Sequence, residues 1–504
     1  MYSDQSPREF AAIDLGSNSF HMIVARIVNG SIQILSRVKR KVRLAEGLGE
    51  DRVLSQEAIE RGVACLSLFA KRLQGFSPEN VKVVGTYTLR RAVNNADFIQ
   101  QAQKVFPYPI EIITGQEEAK LIYSGVSHTQ AERGRKFVVD IGGGSTEMTI
   151  GDDFKPLRAE SRHMGCVSFA KRFFPEGKLD QASFDNAYQT AMDKIEDLAW
   201  EYRELGWQHV LGSSGTIKTV SKVLIANGYR DGLITEDRLL ALIKMCLAFE
   251  SLKSIQLKGL LEERADVLVP GLAILLALFR TFHIQSMRYS DGALREGVMY
   301  GLEKSFQVGN IRQRTAEALA EQFDIDQHQA SRVRDTALAL FDQIKHWKNK
   351  RQIGELRSIL KWASLLHEVG ISINHNGVHR HSAYIIANRD LPGFDNEQQS
   401  LLATLMRYHL KSFRRSDIRS TNRFQYRDIV TLLRLFRLAV LLNRSRQATN
   451  VPQMMKLSVD NHEWHLQFEP DFLTNNPLIL ADLEEERKTL LPLDLILSFS
   501  ECKN

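Results

Sequence analysis

Alternation of apolar and polar positions dominates the start of the chain. Runs at Phe10–Asp14, His21–Val28, Ser31–Val38, Val81–Thr86 and Ile110–Thr114 read as strands. A helix is expected from Ser55 to about Leu73, because Ser55 is a good N-cap and Glu57 suits the dipole of the first turn. A second helix follows Asn95 and a third starts after Gly115. The pattern restarts at Lys136. Phe137–Val139 and Thr146–Ile150 read as hairpin strands, followed by a mixed stretch and a strand at His209–Leu211. Apolar helices dominate Asp237–Phe282, and a last strand is expected at Ser286–Ser290. From about Ile311 the period becomes helical, at Ala316–Phe323, Gln329–Lys345, Leu356–Leu366, Gln398–Tyr408 and Ile429–Leu442. After Pro452 alternation returns at Met455–Val459 and Glu463–Phe468. These patterns predict two α/β units built alike with a cleft between them, then an all-helical domain and a small β-containing tail. Gln307–Ile311 is the expected junction.

Each α/β unit opens with the same phrase. Asp14-Leu-Gly16-Ser17-Asn18-Ser19 follows one apolar strand, and Asp140-Ile-Gly-Gly143-Gly144-Ser145 follows the other. Such turns offer backbone N–H groups and hydroxyls with no bulky side chain in the way, which suits phosphate oxygens. An Asp at the strand end suits a divalent metal that bridges those oxygens. A third turn, Gly212-Ser213-Ser214-Gly215-Thr216, opens a helix, whose N-terminus attracts anions. Glu117 and Glu118 start the helix after Gly115, and one of them is expected to face the cleft and orient a water. Glu147 shares a strand face with Ser145 and is a candidate to hold Mg²⁺ or assist the water. Arg90 and Arg91, just after a strand, are candidates for binding phosphate oxygens. Arg37, Lys39, Arg40, Lys41 and Arg43 alternate with apolar residues. They read first as a charge-protected edge strand, and also as the lining of a channel for a long anion.

The balance of 66 Lys and Arg against 60 Asp and Glu gives a net charge of +6, which suits a polyanionic partner. The four cysteines lie far apart with no C-x-x-C pair, so reduced thiols in a cytoplasmic compartment are expected. The first residues lack the apolar core of a signal peptide. The longest apolar run, Val267–Phe279, contains Pro270 and Gly271 and falls short of the ~20 residues that span a bilayer. It reads as a buried loop and helix.

Several strings resemble the exopolyphosphatase and guanosine pentaphosphate phosphatase family. They are Ala12–His21, Gly115–Ala119, Val139–Glu147, Met164–Val167, Gly212–Thr216 and Asp291–Gly297. The strings His375–Tyr384, Leu391–Phe394 and Leu405–His409 look most like the exopolyphosphatase branch of the long enterobacterial four-domain type. The resemblance implies duplicated ribonuclease-H-like domains of the actin and sugar-kinase superfamily at residues 1–122 and 123–305. An all-helical HD-like domain at 306–447 and a small α/β C-terminal domain at 448–504 would follow. It implies a hydrolase that releases orthophosphate from polyphosphate ends, with Mg²⁺ and with K⁺ as an activator, and a link to the stringent response. By position Glu118 matches the catalytic glutamate and Glu147 a second acid. Asp14 and Asp140 match acids near the metal, Arg90 a phosphate-binding arginine, and the three turns phosphate-holding loops.

In the helical part the HD signature reads His367-Glu368, and Asn443 stands where a late Asp would be expected, although His381 and His409 are further candidates. That domain is expected to bind anions rather than catalyse. Arg407, Lys411, Arg414 and Arg415, continued by Arg419, Arg423 and Arg427, form a candidate polyphosphate track. A homodimer would join such tracks and favour processive digestion. The basic surface permits peripheral attachment to the inner membrane. No nucleic-acid partner is expected. The rival readings are a guanosine pentaphosphate 5′-phosphohydrolase, a kinase or ATPase of the same superfamily, and a non-catalytic sensor of polyphosphate or nucleotide.

Overall fold

The alternating runs near the N-terminus form a five-stranded sheet from β1 (Glu9–Leu15), β2 (Ser19–Val28), β3 (Ser31–Lys41), β4 (Val81–Gly85) and β5 (Ile110–Ile112). Its order is β3-β2-β1-β4-β5. β1, β2 and β3 are antiparallel neighbours, and β4 and β5 run parallel to β1. The second sheet repeats this plan with β6 (Arg135–Ile141), β7 (Thr146–Asp152), β8 (Lys155–Arg162), β9 (His209–Ser213) and β10 (Arg288–Tyr289). Its order, β8-β7-β6-β9-β10, has the same strand senses. The duplication expected from the two Asp-x-Gly turns is therefore a duplication of topology. The computed structural model describes residues 9–28, 31–130, 132–302, 311–345, 347, 352–389, 391–421, 423–447, 452, 455–460 and 462–502. The expected junction residues 307–310 lie outside them. The chain divides into two compact units, residues 1–311 and 312–504.

Helix starts follow local chemistry. The Ser55 side chain caps the helix Gln56–Arg72 by accepting from Ala58 N. Thr114 caps the helix Gly115–Thr129, with Glu117 closing a capping box. That helix is continuous across the expected boundary at 122/123. It packs with the helix Leu294–Gly301 in a core that draws Phe10, Ala12 and Ile23 from the first sheet and Val138 and Leu211 from the second. Glycine permits the approach of the two helices. A Cβ on Gly297 would lie 1.8 Å from Leu121 O, and one on Gly125 would lie 2.1 Å from Ala293 O. This packing fixes the helix that carries Glu118 against both sheets.

The run Val267–Phe279 is all helix, with no loop: it belongs to the helix Ala265–Phe282, which includes Pro270. By length and composition this helix could cross a membrane, but 83% of its apolar window is buried inside the fold. It is the central core helix of the second half, packed with Phe184, Leu242 and Ile217. β8 eludes the sequence pattern because it is an edge strand, polar on both faces, with Ala159 its only buried residue.

The second unit holds the helices Gln327–Phe341, Ile353–Leu366, Val378–Asn388, Asn396–Tyr408 and Tyr426–Leu442, then a sheet in the order β11 (Met455–Asp460), β12 (Glu463–Phe468), β13 (Ile496–Glu501). β13 and the helix Pro477–Leu490 that precedes it were not apparent in the sequence. Helices and sheet share one core, in which Leu366, Leu432 and Phe436 join Trp464, Leu466, Leu483 and Leu497. Arg437 forks onto both Glu486 oxygens at 2.6 Å inside it.

Candidate active site

The hairpins β1–β2 and β6–β7 end in turns that face each other. A Cβ on Gly143 would sit 3.4 Å from the Ser17 Cβ. Thr88 Oγ1 donates to Ser17 Oγ at 2.9 Å. The second turn is held from outside by Cys166 N to Gly142 O at 3.0 Å and Val167 N to Gly143 O at 2.9 Å. The two turns border one cleft of about 520 Å³. Asp14, Asp140, Glu118 and Glu147 all line it, as do Gly16–Ser19 and Gly142–Ser145.

The four carboxylates crowd one another at the floor. Burial pushes Glu118 up to about 7 against the pull of Arg90. Burial, with the nearby Glu118 charge, raises Asp14 to about 7. Burial raises Asp140 to about 6, although hydrogen bonds from Ser213 and Ser214 oppose this. Glu147 is raised well above the carboxylate range by burial and then by Glu118 and Asp140. Ser161 Oγ donates to Glu147 Oε1 at 2.8 Å. Sheet register sets the pairing: Glu147 lies directly across from Asp140, whereas His21 lies across from Asp14. Arg295 Nη1 donates to His21 Nδ1 at 2.9 Å, and burial together with Arg295 depresses His21 to about 3, so the imidazole is neutral.

Glu117 is not the cleft acid. Its Oε2 accepts from Thr114 N and Thr114 Oγ1, both at 2.8 Å, at the helix cap. Arg90 does not line the cleft either. Its Nη1 donates to Glu118 Oε2 at 3.0 Å and to Ile113 O at 2.8 Å, so it orients the glutamate. Of the third turn, only Ser214 and Gly215 reach the cleft. Ser213 is buried with its Oγ on Gly292 O at 2.8 Å, Gly212 packs on Ile217 and Met287, and Thr216 is buried against Gly271. Ser214 adopts φ 74°, a left-handed conformation costly for a serine.

A divalent cation suits part of this floor. Asp14 Oδ1 is buried with no hydrogen-bond partner, and the crowded acids are hard oxygen donors. Among the described residues, however, no three His, Cys, Asp or Glu side chains converge closely enough to hold an ion. The expected three-acid set of Asp14, Asp140 and Glu147 is not assembled by the protein alone. One or two carboxylates plus phosphate oxygens and water is the coordination that Mg²⁺ favours.

Six cations line the cleft beyond its floor, Arg37, Lys39, Lys218, Lys222, Arg264 and Arg295, against the acids Glu263, Asp291 and Glu296, with Lys218 paired to Asp291 at 3.0 Å. β3 is thus both an edge strand and a cleft wall. Lys39 is depressed by burial and then by Arg264, the mark of positive charge crowded together. Arg264 Nε is buried without a partner, and its guanidinium would lie 2.9 Å from a Cβ at Gly215. Sequence reasoning missed Lys218, Lys222, Arg264 and Arg295. Arg295 stood in a quoted motif, but the other three carried no local signal.

In the second unit the proposed track is dispersed. Arg407, Lys411 and Arg415 line three different cavities, and Arg414 lines none of them. Arg423 is held in ion pairs with Glu355 and Asp395. His367 and His409 are buried with ring centroids 5.8 Å apart, each with Nδ1 on a backbone carbonyl at 2.7 Å. Glu368 pairs with Arg446, and Asn443 Nδ2 donates to Thr336 Oγ1 and Ala439 O.

The paired sheets repeat one mixed α/β topology. The chain belongs to the Ppx/GppA phosphatase family and is a hydrolase: the family pattern matches residues 23–306, and that of the family's domain III matches residues 311–487. A Haemophilus influenzae protein named provisionally as an exopolyphosphatase is 68% identical over 309 residues, 61% of this chain and 96% of its own. A Pseudoalteromonas translucida protein named guanosine-5′-triphosphate,3′-diphosphate pyrophosphatase is 40% identical over 484 residues, 95% of this chain and 96% of its own. The crystal structure of the Aquifex aeolicus family member, 26% identical, superposes with a TM-score of 0.51 over 59% of this chain and 97% of that one.

Proposed function

We propose that the chain releases orthophosphate from the end of inorganic polyphosphate by in-line attack of water. The observation that carries this reading is Glu118: buried in the shared cleft, oriented by Arg90, with a pKa of about 7. Burial lifts this carboxylate's basicity above that of an ordinary glutamate, which suits it to take a proton from a neutral water as the P–O bond forms. The terminal phosphoryl group lies between the facing turns, whose Ser17, Ser19 and Ser145 hydroxyls and glycine amides carry its charge. The bond to the leaving phosphate breaks as the water oxygen bonds to phosphorus, and the leaving chain retreats along the cationic wall. Asp14, whose Oδ1 has no partner, with at most one other carboxylate of the floor, would hold Mg²⁺ together with substrate oxygens and water. That ion neutralises phosphate charge when bound.

The cationic wall supports a long anion. Arg37, Lys39, Lys218, Lys222 and Arg264 extend positive charge well beyond what one phosphate needs. The test is Glu118→Ala, which folds normally and loses at least ~100-fold in orthophosphate release. Wild-type turnover in that variant refutes the assignment. A second reading, hydrolysis of the 5′-terminal phosphate of guanosine pentaphosphate, is supported by the name of the Pseudoalteromonas relative. Initial rates on long polyphosphate and on that nucleotide, measured side by side, separate the two.

A further inference from the structure

The second unit contains a cavity of about 600 Å³ between the helix Tyr426–Leu442 and the sheet of β11, β12 and β13. The proposed reaction makes no use of it. Two donors on its wall are buried and unmatched. Arg434 is 2% exposed and its Nε meets no acceptor, while Trp347 is 8% exposed and its Nε1 meets none. The Nη atoms of Arg434 donate to His462 O at 3.2 Å and Ile496 O at 2.8 Å, and among the described residues no carboxylate forms an ion pair with it. A buried guanidinium with no carboxylate in contact is costly, Glu486 offsetting its burial only in part, and a bound acceptor reduces that cost.

The walls favour a flat ligand. Trp347, Tyr426 and Trp464 supply aromatic surface, with the Arg434 guanidinium 4.0 Å over the Trp464 ring. Arg415 and Arg427 are exposed and line the same cavity, and Arg415 lies 5.4 Å over the Tyr426 ring. Asp428, Asp460 and Asp494 line it too, and their charge disfavours a bare polyanion. The volume falls within the range of small-molecule sites.

We propose that this cavity binds a nucleoside phosphate. The carbonyl or ring-nitrogen edge of the base accepts from Arg434 Nε and Trp347 Nε1, the base stacks on the aromatic wall, and the phosphate takes Arg415 and Arg427. The site is separate from the cleft that holds Glu118 and stands independently of the proposed reaction.

Calorimetric titration of the full chain with GMP and AMP tests this, because neither has a phosphoanhydride bond for the cleft to consume. The expected result is one site per chain for at least one of them, at least ~10-fold tighter than for guanosine, adenosine or inorganic phosphate. Arg434→Met and Thr431→Phe, which fills the cavity from the helix, should each weaken it at least ~10-fold and leave orthophosphate release from polyphosphate unchanged. If Arg434→Met fails to fold, Thr431→Phe decides. Absence of heat with both nucleotides at millimolar concentration, or binding that survives in the folded variants, overturns the proposal.

Discussion

Gly165 tests whether the position of the second turn limits the reaction. Its backbone, φ −135° and ψ 158°, is extended, so any residue can adopt it. Space is the obstacle. A Cβ there would lie 2.4 Å from Gly143 C, Gly143 O and Gly144 N. All three are backbone atoms of the turn, so no side chain can swing aside. To restore ordinary contact the turn must retreat by about 1 Å toward the cleft, a displacement that costs on the order of 100-fold in rate. The turn is tied to the following helix by hydrogen bonds from Cys166, Val167 and Ser168 to Gly142 O and Gly143 O, and each bond lost costs about 1 kcal/mol. Gly165→Ala is therefore expected to lower kcat/KM for orthophosphate release on the order of 100-fold and to destabilise the first unit only modestly. The assay is steady-state phosphate release with thermal unfolding in parallel. Gly301→Ala, where a Cβ meets nothing within 4 Å, is the matched control. A Gly165→Ala enzyme within about threefold of wild type would show that the rate does not depend on the placement of that turn.

Arg264→Ala should raise KM for long polyphosphate at least several-fold with little change in kcat, because it removes charge from the wall and not from the reacting end; an unchanged KM across chain lengths counts against the cationic path. Glu486→Ala leaves Arg437 buried without its partner and should cost about 3–5 kcal/mol in urea unfolding of the second unit. Acid should weaken that unit too. His367, beside His409 and near Arg446 and Glu368, is neutral in the fold because burial pulls it down to about 4. The unfolded chain takes up the proton near pH 6.5. Stability is therefore full above that pH and falls by roughly 2 kcal/mol by pH 5. Equal unfolding midpoints at pH 7 and 5, or a His367→Asn variant with an unchanged slope, would contradict this.

The features legible in the sequence are those fixed by local chemistry. The two Asp-x-Gly turns, the Ser55 cap and the strand alternation depend on neighbours a few residues away, so the duplicated sheets and the meeting of Asp14, Asp140 and Glu147 could be anticipated, whereas Glu118 was singled out from Glu117 only by the family resemblance. What escaped depends on distant partners. Arg90 reads as a phosphate ligand until Glu118 is seen 3.0 Å away. Glu117 and Glu118 look interchangeable until Thr114 claims the first. Lys218, Lys222 and Arg264 converge only through tertiary packing, and β8 lacks the apolar face that would have marked it. The tail seemed separate because periodicity changes at Pro452, yet Trp464 and Leu466 share their core with Leu432 and Phe436.

The difference between the duplicated hairpins has its own consequence. Here one hairpin sets Glu147 against its aspartate and the other sets a neutral His21 tied to Arg295. The broken symmetry gives the cleft two unlike walls, one doubly acidic and one held by a neutral imidazole, so the repeated halves cannot exchange roles.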